Sequence, residues 1–441
     1  MNKILIIDDE ANLRGLLARI IQLEGYSVTE ADNGKNALKL LEHELFQVII
    51  TDVKLPDING VDLTAKLKSS YPATEIIVLT AYGTIEDGVK AIKNGAFDYL
   101  TKGDHQSKII PLVSKATEKA LLQQKVSDLE SRLTKKFGFH QILGTSRSIV
   151  NAIELAKKVA TTATNVLILG ETGVGKEVFA EAIHYESPRR AKPLVALNCS
   201  AFAKDLLESE LFGHAEGSFT GATKTKKGLL EEAHEGTLFL DEIGEMNIDL
   251  QAKILRVLET GEFYRVGDSK SRKVNIRLIA ATNRDLEQEI KNGKFREDLF
   301  YRLSVFSLNI PPLRERQEDI KVLADHFIQL FSAKTNKQVK AIDENFLKAL
   351  KSHPWKGNIR ELKNVIERCV ILVEGNKLSA DLLPFDFNLT SDPNVFDLAV
   401  IEKNHIQKTL RHTQGNKTEA ARLLNIGLTT LYRKIQDYGI N

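Results

Sequence analysis

The chain of 441 residues has little cysteine, no long apolar run and almost no net charge. Its two cysteines, Cys199 and Cys369, have neither the spacing of metal ligands nor the number that a disulfide framework needs. The N-terminal sequence turns acidic after four apolar residues, Ile4 to Ile7, which is too short for the core of a signal peptide. Since no later run is long enough to span a membrane, a cytoplasmic location is expected.

The balance of charge excludes a surface that is basic throughout. Lysine and arginine number 61 against 59 aspartates and glutamates, which leaves a formal charge of +2. Any surface that binds nucleic acid must therefore be local. The length is enough for about three domains, each able to bury a core of its own.

A glycine-rich stretch, Gly170 to Lys176, follows an apolar run and precedes a helix-like segment. This order predicts a strand, a loop that surrounds a polyphosphate with backbone N–H groups, and a helix whose N-terminus adds positive potential. Lys176 would reach the β and γ phosphates. Glu177 stands where a Ser or Thr usually binds Mg²⁺, and an ordinary glycine turn remains the alternative. The predicted ATP-binding residues of this stretch are Gly170, Glu171, Thr172, Gly173, Val174, Gly175, Lys176 and Glu177.

An apolar strand pattern that ends in two carboxylates, Asp241 and Glu242, lies downstream of this loop. Asp241 can hold Mg²⁺ directly or through water, and Glu242 can polarise the water that attacks a phosphate. An acidic pair after a strand is common by itself. Together with the loop it favours hydrolysis of ATP, and a metal held by Asp241 explains how Glu177 can replace the usual hydroxyl.

The N-terminal segment alternates apolar runs, of which Ile4–Ile7 is the first, with stretches of helical period. The alternation predicts a doubly wound α/β domain with a parallel sheet. Ligands of such sheets bind beyond the carboxyl ends of the strands, where Asp8, Asp9, Asp52 and Thr80 fall. Because carboxylates so close together repel one another, the cluster predicts a Mg²⁺ site.

A helical segment follows, in which Leu122, Val126, Leu129 and Leu133 recur at spacings of four, three and four. The pattern fits a short coiled-coil seam, which would make the N-terminal half dimeric. A single amphipathic helix that lies on a domain surface is the alternative, because fewer than three heptads are visible.

The C-terminal segment predicts two short helices around a glycine turn. Asn416, followed three residues later by Glu419, is a helix-start signature, and a second helix from Leu428 places Leu428, Leu431 and Ile435 inward. This arrangement suggests a helix-turn-helix that binds DNA, with a small helical cap or a dimerisation hairpin as the alternative. The basic residues able to contact DNA phosphates are Arg411, Lys417, Arg422, Arg433 and Lys434.

The N-terminal segment resembles the receiver domain of bacterial two-component response regulators, with I-I-D-D-E, T-D-V-K-L-P-D-I-N-G, L-T-A and D-Y-L-T-K in order. The resemblance implies that Asp52 takes a phosphoryl group from a histidine kinase. Asp8 and Asp9 would then hold the metal, and the carbonyl of Lys54 would complete its shell.

The same resemblance implies a switch of three residues. Lys102 would pair with the phosphoryl oxygens, Thr80 would donate a hydrogen bond to them, and Tyr99 would turn inward. Charge at the phosphorylation site would thereby change the surface of the domain.

The central segment resembles the AAA+ ATPase module of NtrC-type enhancer-binding proteins, which activate sigma-54 RNA polymerase. Asn198, in L-N-C, matches the residue that holds the catalytic Glu242 inactive until the ring is engaged. The stretch A-A-T-N-R matches a sensor strand and would place Thr282 and Asn283 near the γ-phosphate.

Three arginines of the same segment match residues that contact or sense the bound nucleotide. Arg296 and Arg302, in F-R-E-D-L-F-Y-R, match arginine fingers offered to the ATP of the neighbouring subunit. Arg360, in G-N-I-R-E-L, matches a sensor in the helical lid. For any one of these arginines alone, a surface salt bridge is the ordinary alternative.

The stretch E-L-F-G-H-A-E-G-S-F-T-G-A resembles the mobile loop that grips the sigma factor. Two glycines flank an exposed aromatic residue, which suits a hinged loop that presents Phe219 to a partner. Ser218 stands where the family usually has Ala. The predicted contact residues are Gly217, Ser218, Phe219, Thr220, Gly221 and Ala222.

The C-terminal segment resembles the Fis-type helix-turn-helix of the same family. The match places Thr429, Thr430, Arg433 and Lys434 on the recognition helix and implies that a dimer binds an inverted repeat. Gly427-Leu428 replaces the usual Ser-Arg pair, which removes one DNA contact that the family often has.

Together these patterns predict a multidomain α/β protein with a doubly wound receiver at 1–120, a helical or coiled-coil linker at 121–143, an AAA+ ATPase with a helical lid at 144–385, and an all-α helix-turn-helix at 395–441. The expected function is activation of transcription by a dimer that, once phosphorylated, closes into a ring, with a hexamer expected, hydrolyses ATP and remodels sigma-54 polymerase from enhancer DNA. The alternatives are a regulator that acts by DNA occupancy with a weak or uncoupled ATPase, and an ATPase that has lost contact with sigma-54.

Overall fold

The computed structural model describes residues 2–80, 85–102, 105–219, 222–339, 341–384, 387 and 398–440. The chain forms two compact units, Met1–Phe137 and Gly138–Asn441. No helix in the described ranges is long and apolar enough to cross a membrane.

The helices and strands alternate in the N-terminal unit and in the first part of the second. The strands β1 to β16 are Lys3–Ile7, Ser27–Ala31, Val48–Asp52, Glu75–Thr80, Asp98–Thr101, Val166–Leu169, Leu194–Asn198, Gly213–His214, Lys226–Lys227, Thr237–Asp241, Glu262–Phe263, Arg272–Lys273, Arg277–Thr282, Ser307–Asn309, Ala341–Ile342 and Lys377–Leu378. The helices α1 to α18 are Ala11–Leu23, Gly34–His43, Gly60–Ser70, Ile85–Lys93, His105–Phe137, Arg147–Ala160, Lys176–Tyr185, Lys204–Phe212, Leu229–Glu232, Ile248–Thr260, Leu286–Lys291, Glu297–Leu303, Gln317–Thr335, Glu344–Ser352, Asn358–Leu372, Leu398–His412, Lys417–Leu423 and Leu428–Asp437.

The N-terminal unit is built on a parallel five-stranded sheet in the order β2-β1-β3-β4-β5. Alternate residues of β1 point to opposite faces: Leu5 and Ile7 pack with α2, α3 and α4, whereas Ile4 and Ile6 pack with α1 and α5. Both faces of the sheet are therefore covered, which confirms the predicted doubly wound fold and accounts for the uninterrupted apolar runs.

The first part of the second unit has a second parallel sheet, in the order β14-β6-β13-β10-β7. Val166 and Ile168 of β6 pack with α6 and α7, and Leu167 faces the opposite cluster, which includes α10 and α12. Because all five strands run in one direction, the ends of β6, β13, β10 and β7 lie side by side at one edge.

Helices form the remainder of the second unit. The helices α13, α14 and α15 enclose a core around Trp355 and Phe346, which are fully buried, and form the lid. The last three helices pack around Ala420, Ala421 and Leu431. The predicted helical lid and all-α C-terminal domain are thus confirmed.

Residues 121–137 of the segment predicted as a linker are the continuation of α5, which runs without a break to Phe137 and is followed by a 3-10 turn at Phe139–Gln141. Leu122, Val126 and Leu133 have exposed fractions of 58%, 54% and 38%, so these three side chains are exposed among the residues that the structure describes. The side chain of Leu129 lies outside the described residues.

Candidate functional site

Three carboxylates meet at the carboxyl edge of the N-terminal sheet. Asp8 and Asp9 follow β1, and Asp52 ends the neighbouring β3. One oxygen atom of each lies within 4.8 Å of the others, with Asp8 and Asp52 buried and Asp9 exposed. Such a set of hard oxygen donors, open to solvent on one side, fits Mg²⁺.

Lys102 is the cation at this cluster. Its Nζ lies 2.8 Å from Oδ2 of Asp52 and 3.0 Å from Oδ2 of Asp8. Burial raises the pKa of Asp52, and the charge of Asp8 adds to this, while Lys102 and the backbone N–H of Lys54 act in the opposite direction. One lysine therefore leaves the cluster with excess negative charge, which favours a further cation there.

The predicted switch residues flank this cluster. Thr80 ends β4, is buried, and pairs in register with Thr101 of β5. Tyr99 is 37% exposed and its ring lies against Gly88, where an added Cβ would be 2.7 Å from the ring. The structure thus holds Tyr99 in an outward position, the starting point for the inward turn that the sequence predicts.

The phosphate loop has the predicted surroundings. Gly173 and Gly175 adopt φ values of 81° and 107°, which favour glycine, and α7 begins at Lys176. The buried Lys176 donates from Nζ to the carbonyl of Gly170 at 3.0 Å and pairs with Oε1 of Glu242 at 3.3 Å. The lysine is thereby held at the mouth of the loop, where phosphates would replace its partners.

Asp241 and Glu242 end β10, as predicted. Glu242 adopts a left-handed conformation, with φ 52° and ψ 48°, and its Oε2 accepts the backbone N–H of Asn283 at 3.2 Å. Burial raises the pKa of Asp241, and Glu242 and Glu177 contribute in the same direction. A cation at this position would relieve that repulsion, so the donor set fits Mg²⁺.

The expected contact of Asn198 with Glu242 is not the one that the structure has. The side-chain amide of Asn198, at the end of β7, donates to Oδ2 of Asp241 at 3.1 Å. The left-handed backbone of Glu242 directs its carboxylate toward Lys176 and Asn283 instead. In this conformation Asn198 contacts Asp241, and its control of Glu242 stays a prediction.

The sensor residues follow β13, between the loop and the acidic pair. Thr282 is buried and its carbonyl accepts the N–H of Gly170 at 3.3 Å. The amide of Asn283 donates to the hydroxyl of Thr172 at 3.0 Å. Four neighbouring strands thus bring the predicted loop, sensor, acidic pair and Asn198 to one edge.

The two candidate arginine fingers have hydrogen-bond partners within the chain. Arg296 is exposed and forms two hydrogen bonds with Asp298, at 3.0 and 2.7 Å. Arg302 donates to the carbonyl of Leu258 and lines a cavity of about 420 Å³ with Thr164 and Ile276. These last two residues precede β6 and β13, so Arg302 lies at the amino edge of the sheet, opposite the edge that carries the phosphate loop.

A set of contacts between loop and lid was missed by the sequence analysis. Oε1 and Oε2 of Glu171 accept from Arg314 at 2.7 and 2.8 Å, and the amide of Asn358 donates to Oε2 at 3.0 Å. The backbone N–H of Arg360 donates to the carbonyl of Gly173 at 3.3 Å. Asn358 stands within the G-N-I-R-E-L stretch and has a left-handed backbone, with φ 51°. Nothing in the sequence indicates that it contacts Glu171.

The loop predicted to contact the sigma factor is folded against its neighbours. Phe219 is 44% exposed and meets the ring of His214 edge-on at 5.1 Å, and Gly217 donates to the carbonyl of Ala222 at 2.8 Å. The Oγ of Ser218 is buried, packs against Gly267, and has no hydrogen-bond partner in the part of the chain that the structure describes. Thr220 and Gly221 lie outside that part.

The C-terminal helices begin largely as predicted. Asn416 caps α17 by accepting the N–H of Glu419 at 3.2 Å, and Leu431 is fully buried. The inward placement of Leu428 is wrong, because this residue is 39% exposed and Ile426 packs in the core beside it. Ile435 is partly buried there, as expected.

The predicted DNA-contacting residues of α18 differ in exposure. Thr429 and Arg433 are exposed and Thr430 is half-buried. Lys434 instead pairs with Glu402 of α16 at 2.6 Å, so its ammonium faces the protein in this structure. Of the two basic residues on the helix, Arg433 is the one presented to solvent.

Comparisons with known proteins agree with this organisation. The response regulator receiver domain matches residues 4–114, the sigma-54 interaction domain 142–309, the AAA+ ATPase lid domain 314–396, and the Fis family of bacterial regulatory proteins 397–438. The chain is 40% identical over 454 residues to the regulatory protein AtoC of Escherichia coli K12, covering 100% of this chain and 98% of AtoC. It is 35% identical over 466 residues to the DNA-binding transcriptional regulator NtrC of Proteus hauseri, covering 99% and 98%.

A similar solved structure is that of NtrX from Brucella abortus in complex with ATP, with 32% identity, a TM-score of 0.62 and 99% coverage of both chains. Fold and site together define a nucleotide-driven, DNA-binding regulator that carries a receiver. The chain belongs to the NtrC family of sigma-54-dependent response regulators. It is a two-component response regulator with an ATPase of the sigma-54 activation type and a helix-turn-helix that binds DNA.

Proposed function

We propose that Asp52 accepts a phosphoryl group from a histidine kinase. Support comes from its position beside Asp8 and Asp9, whose oxygen atoms converge within 4.8 Å, and from its ion pair with Lys102. These carboxylates and the carbonyl of Lys54 would hold Mg²⁺, which when bound would draw charge from the incoming phosphoryl group. Lys102 would then exchange its carboxylate partners for phosphoryl oxygens.

The switch would connect this charge to the surface of the receiver. Thr80, which is buried at the end of β4, would donate a hydrogen bond to the phosphoryl group. Tyr99 would leave its place over Gly88 and turn inward as Thr80 moves. The exposed stripe on α5 would hold the inactive protein as a dimer through a short coiled coil.

In the ATPase, each residue at the carboxyl edge has a separate proposed role. Lys176 and the loop N–H groups would bind the phosphates, and Asp241 with Glu177 nearby would hold Mg²⁺. Glu242 would polarise the attacking water, and Asn283 would contact the γ-phosphate. Asn198 would set the charge balance of the acidic pair through its hydrogen bond to Asp241. Arg360 would contact the nucleotide from the lid.

The position of the arginines supports an oligomeric mechanism. Arg302 lies at the sheet edge opposite its own loop, and Arg296 is exposed with Asp298 as its partner. An arginine finger must reach the transition-state charge, so these residues would act on the ATP of a neighbouring subunit. A closed ring, with a hexamer expected, supplies such a neighbour at every site.

The ring would act on two partners in the cytoplasm. The Gly217–Ala222 loop would present Phe219 to the sigma-54 polymerase, and hydrolysis would move that loop. Arg433, with Thr429 and Thr430, would contact enhancer DNA from α18, and Lys434 would contribute after release from Glu402.

The test mixes two inactive proteins. Lys176→Ala protein would not bind ATP but keeps its arginines, whereas Arg296→Ala protein binds ATP but lacks a finger. We expect each alone to lose about a thousandfold in ATPase rate and a mixture to recover well above their sum. Arg256→Ala, which removes an exposed arginine from α10, is the matched control and should behave like the wild type.

A mixture without recovery would contradict catalysis in trans. If wild-type protein hydrolyses ATP too slowly for any of these differences to be measured, while it still represses or activates by occupying DNA, the alternative of an uncoupled ATPase holds instead. Assembly size, measured by sedimentation with and without beryllium fluoride on the receiver, then tests whether phosphorylation drives ring closure.

A further inference from the structure

The phosphate loop carries a carboxylate of its own at its second position. Glu171 lies next to Thr172 in the loop that receives the polyphosphate, where a negative charge opposes binding. Its two oxygens accept parallel hydrogen bonds from Arg314, and the amide of Asn358 donates to one of them. The carboxylate is thus neutralised by groups that do not belong to the loop.

Both partners belong to the lid side of the molecule. The backbone N–H of Leu313 donates to Oδ1 of Asn358 at 2.7 Å, so the short helix that carries Arg314 and the start of α15 form one block. This block is joined to the end of β14 through the pair Pro311–Pro312. A rotation of the lid about this connection would move Arg314 and Asn358 together, away from Glu171.

The charge on Glu171 persists whether or not the lid is docked. Hydrogen bonds from Arg314 and Asn358 lower the pKa of Glu171 in this structure, and an unpaired glutamate is also ionised near neutral pH. When the two partners leave, a full negative charge remains in the loop. Since the site already holds Glu177, Asp241 and Glu242, the unpaired charge would add to repulsion of the nucleotide.

We propose that Glu171 is a lid-dependent electrostatic gate. With the lid docked, Arg314 cancels its charge, Asn358 donates a hydrogen bond to it, and the loop binds nucleotide tightly. With the lid displaced, the free carboxylate lowers the affinity and drives release. Glu171 is therefore a positioning residue that connects lid orientation to nucleotide affinity. The proposal rests on binding of ATP by the phosphate loop, and goes beyond it in the role of this side chain.

The test is a cycle of four full-length proteins: wild type, Arg314→Leu, Glu171→Gln and the double variant. Affinities for ATP and for ADP are measured by calorimetry. Arg314→Leu frees the carboxylate and should weaken both by about tenfold, the usual size of coupling between neighbouring groups. The double variant should return to within about twofold of Glu171→Gln, because the repelling charge is gone.

Two outcomes would overturn the gate. Wild-type affinity in Arg314→Leu shows that Glu171 does not oppose the nucleotide, and a double variant as weak as Arg314→Leu shows that the arginine itself binds phosphate. Arg314→Lys keeps the charge but not the paired geometry, and should stay within about threefold of the wild type. A tenfold loss in this variant would assign the effect to shape and contradict the proposal.

Further measurements separate this role from a general structural one. A gate changes the KM for ATP while kcat stays within about twofold, whereas a damaged fold lowers both. Lys377→Ala breaks a lid ion pair with Asp343 that lies apart from the loop and should change neither. If the wild type itself binds no ATP, the phosphate-loop assignment fails; if it binds and the cycle shows no coupling, the gate alone fails.

Discussion

Replacement of Phe219 by Ala should separate ATP hydrolysis from the proposed contact with polymerase. Complete removal of a buried Phe side chain costs about 3–5 kcal/mol, but Phe219 is 44% exposed, so about half of that cost applies at most. Its edge-on contact with His214 contributes about 0.5–1.5 kcal/mol of this amount. The backbone hydrogen bond from Gly217 to the carbonyl of Ala222 does not involve the ring and should survive.

The variant should therefore stay folded, with a melting temperature lowered by at most about 10 °C. Its ATPase rate should stay within about twofold of the wild type, whereas the yield of heparin-resistant open complexes at a sigma-54 promoter should fall below the limit of detection. Phe202→Ala, which removes another partly exposed Phe from the same core, is the matched control and should activate normally. Wild-type yields of open complex from the Phe219→Ala protein would refute the assignment of this loop.

Three more predictions concern single side chains. Asp52→Asn should abolish incorporation of a phosphoryl group, measured with a small-molecule donor. It should not lower the denaturation midpoint of the receiver, because burial raises the pKa of Asp52 and so penalises its ionised form. Glu242→Gln should still bind ATP but hydrolyse it about 10²–10⁴-fold more slowly, which filter binding and phosphate release distinguish. His184 is fully buried, and burial lowers its pKa to about 4. Because the unfolded state takes up the proton first, the ATPase core should lose about 3 kcal/mol of stability as the pH falls from 6.5 toward 4. A denaturation midpoint that does not depend on pH in this window would contradict this prediction.

The sheet and its acidic edge could be predicted from sequence because burial on both faces leaves a plain signal. An apolar run such as Ile4–Ile7 cannot alternate when helices cover both sides, and a carboxylate directly after it can only lie at the edge. The same reasoning placed Asp52 and Asp241 correctly at the ends of their strands. Local rules were also sufficient for the start of α17 at the cap residue Asn416.

Side-chain pairing was less predictable because it depends on contacts between residues distant in sequence. Helical spacing alone placed Leu428 inward, but the position was already filled by Ile426 from the turn. Lys434 lies on the predicted helix, yet a glutamate 32 residues earlier holds its ammonium. Asn198 contacts Asp241 and not Glu242 because a single left-handed residue reorients the second carboxylate.

The acidic groups around the phosphate loop show which features of the site can be predicted from the sequence. Converging carboxylates require a cation, and that rule was sufficient to predict a metal site from Asp8, Asp9 and Asp52 without any structure. The same rule predicts a counter-charge for Glu171, because the carboxylate of this residue lies in a loop that binds an anion. The rule does not identify the cation, because Arg314 is 143 residues away and reaches the loop only through the folding of the lid. The chemistry of a site can therefore be predicted from local sequence when the compensating group is a metal or a neighbour, but not when the compensating group belongs to a distant segment of the chain.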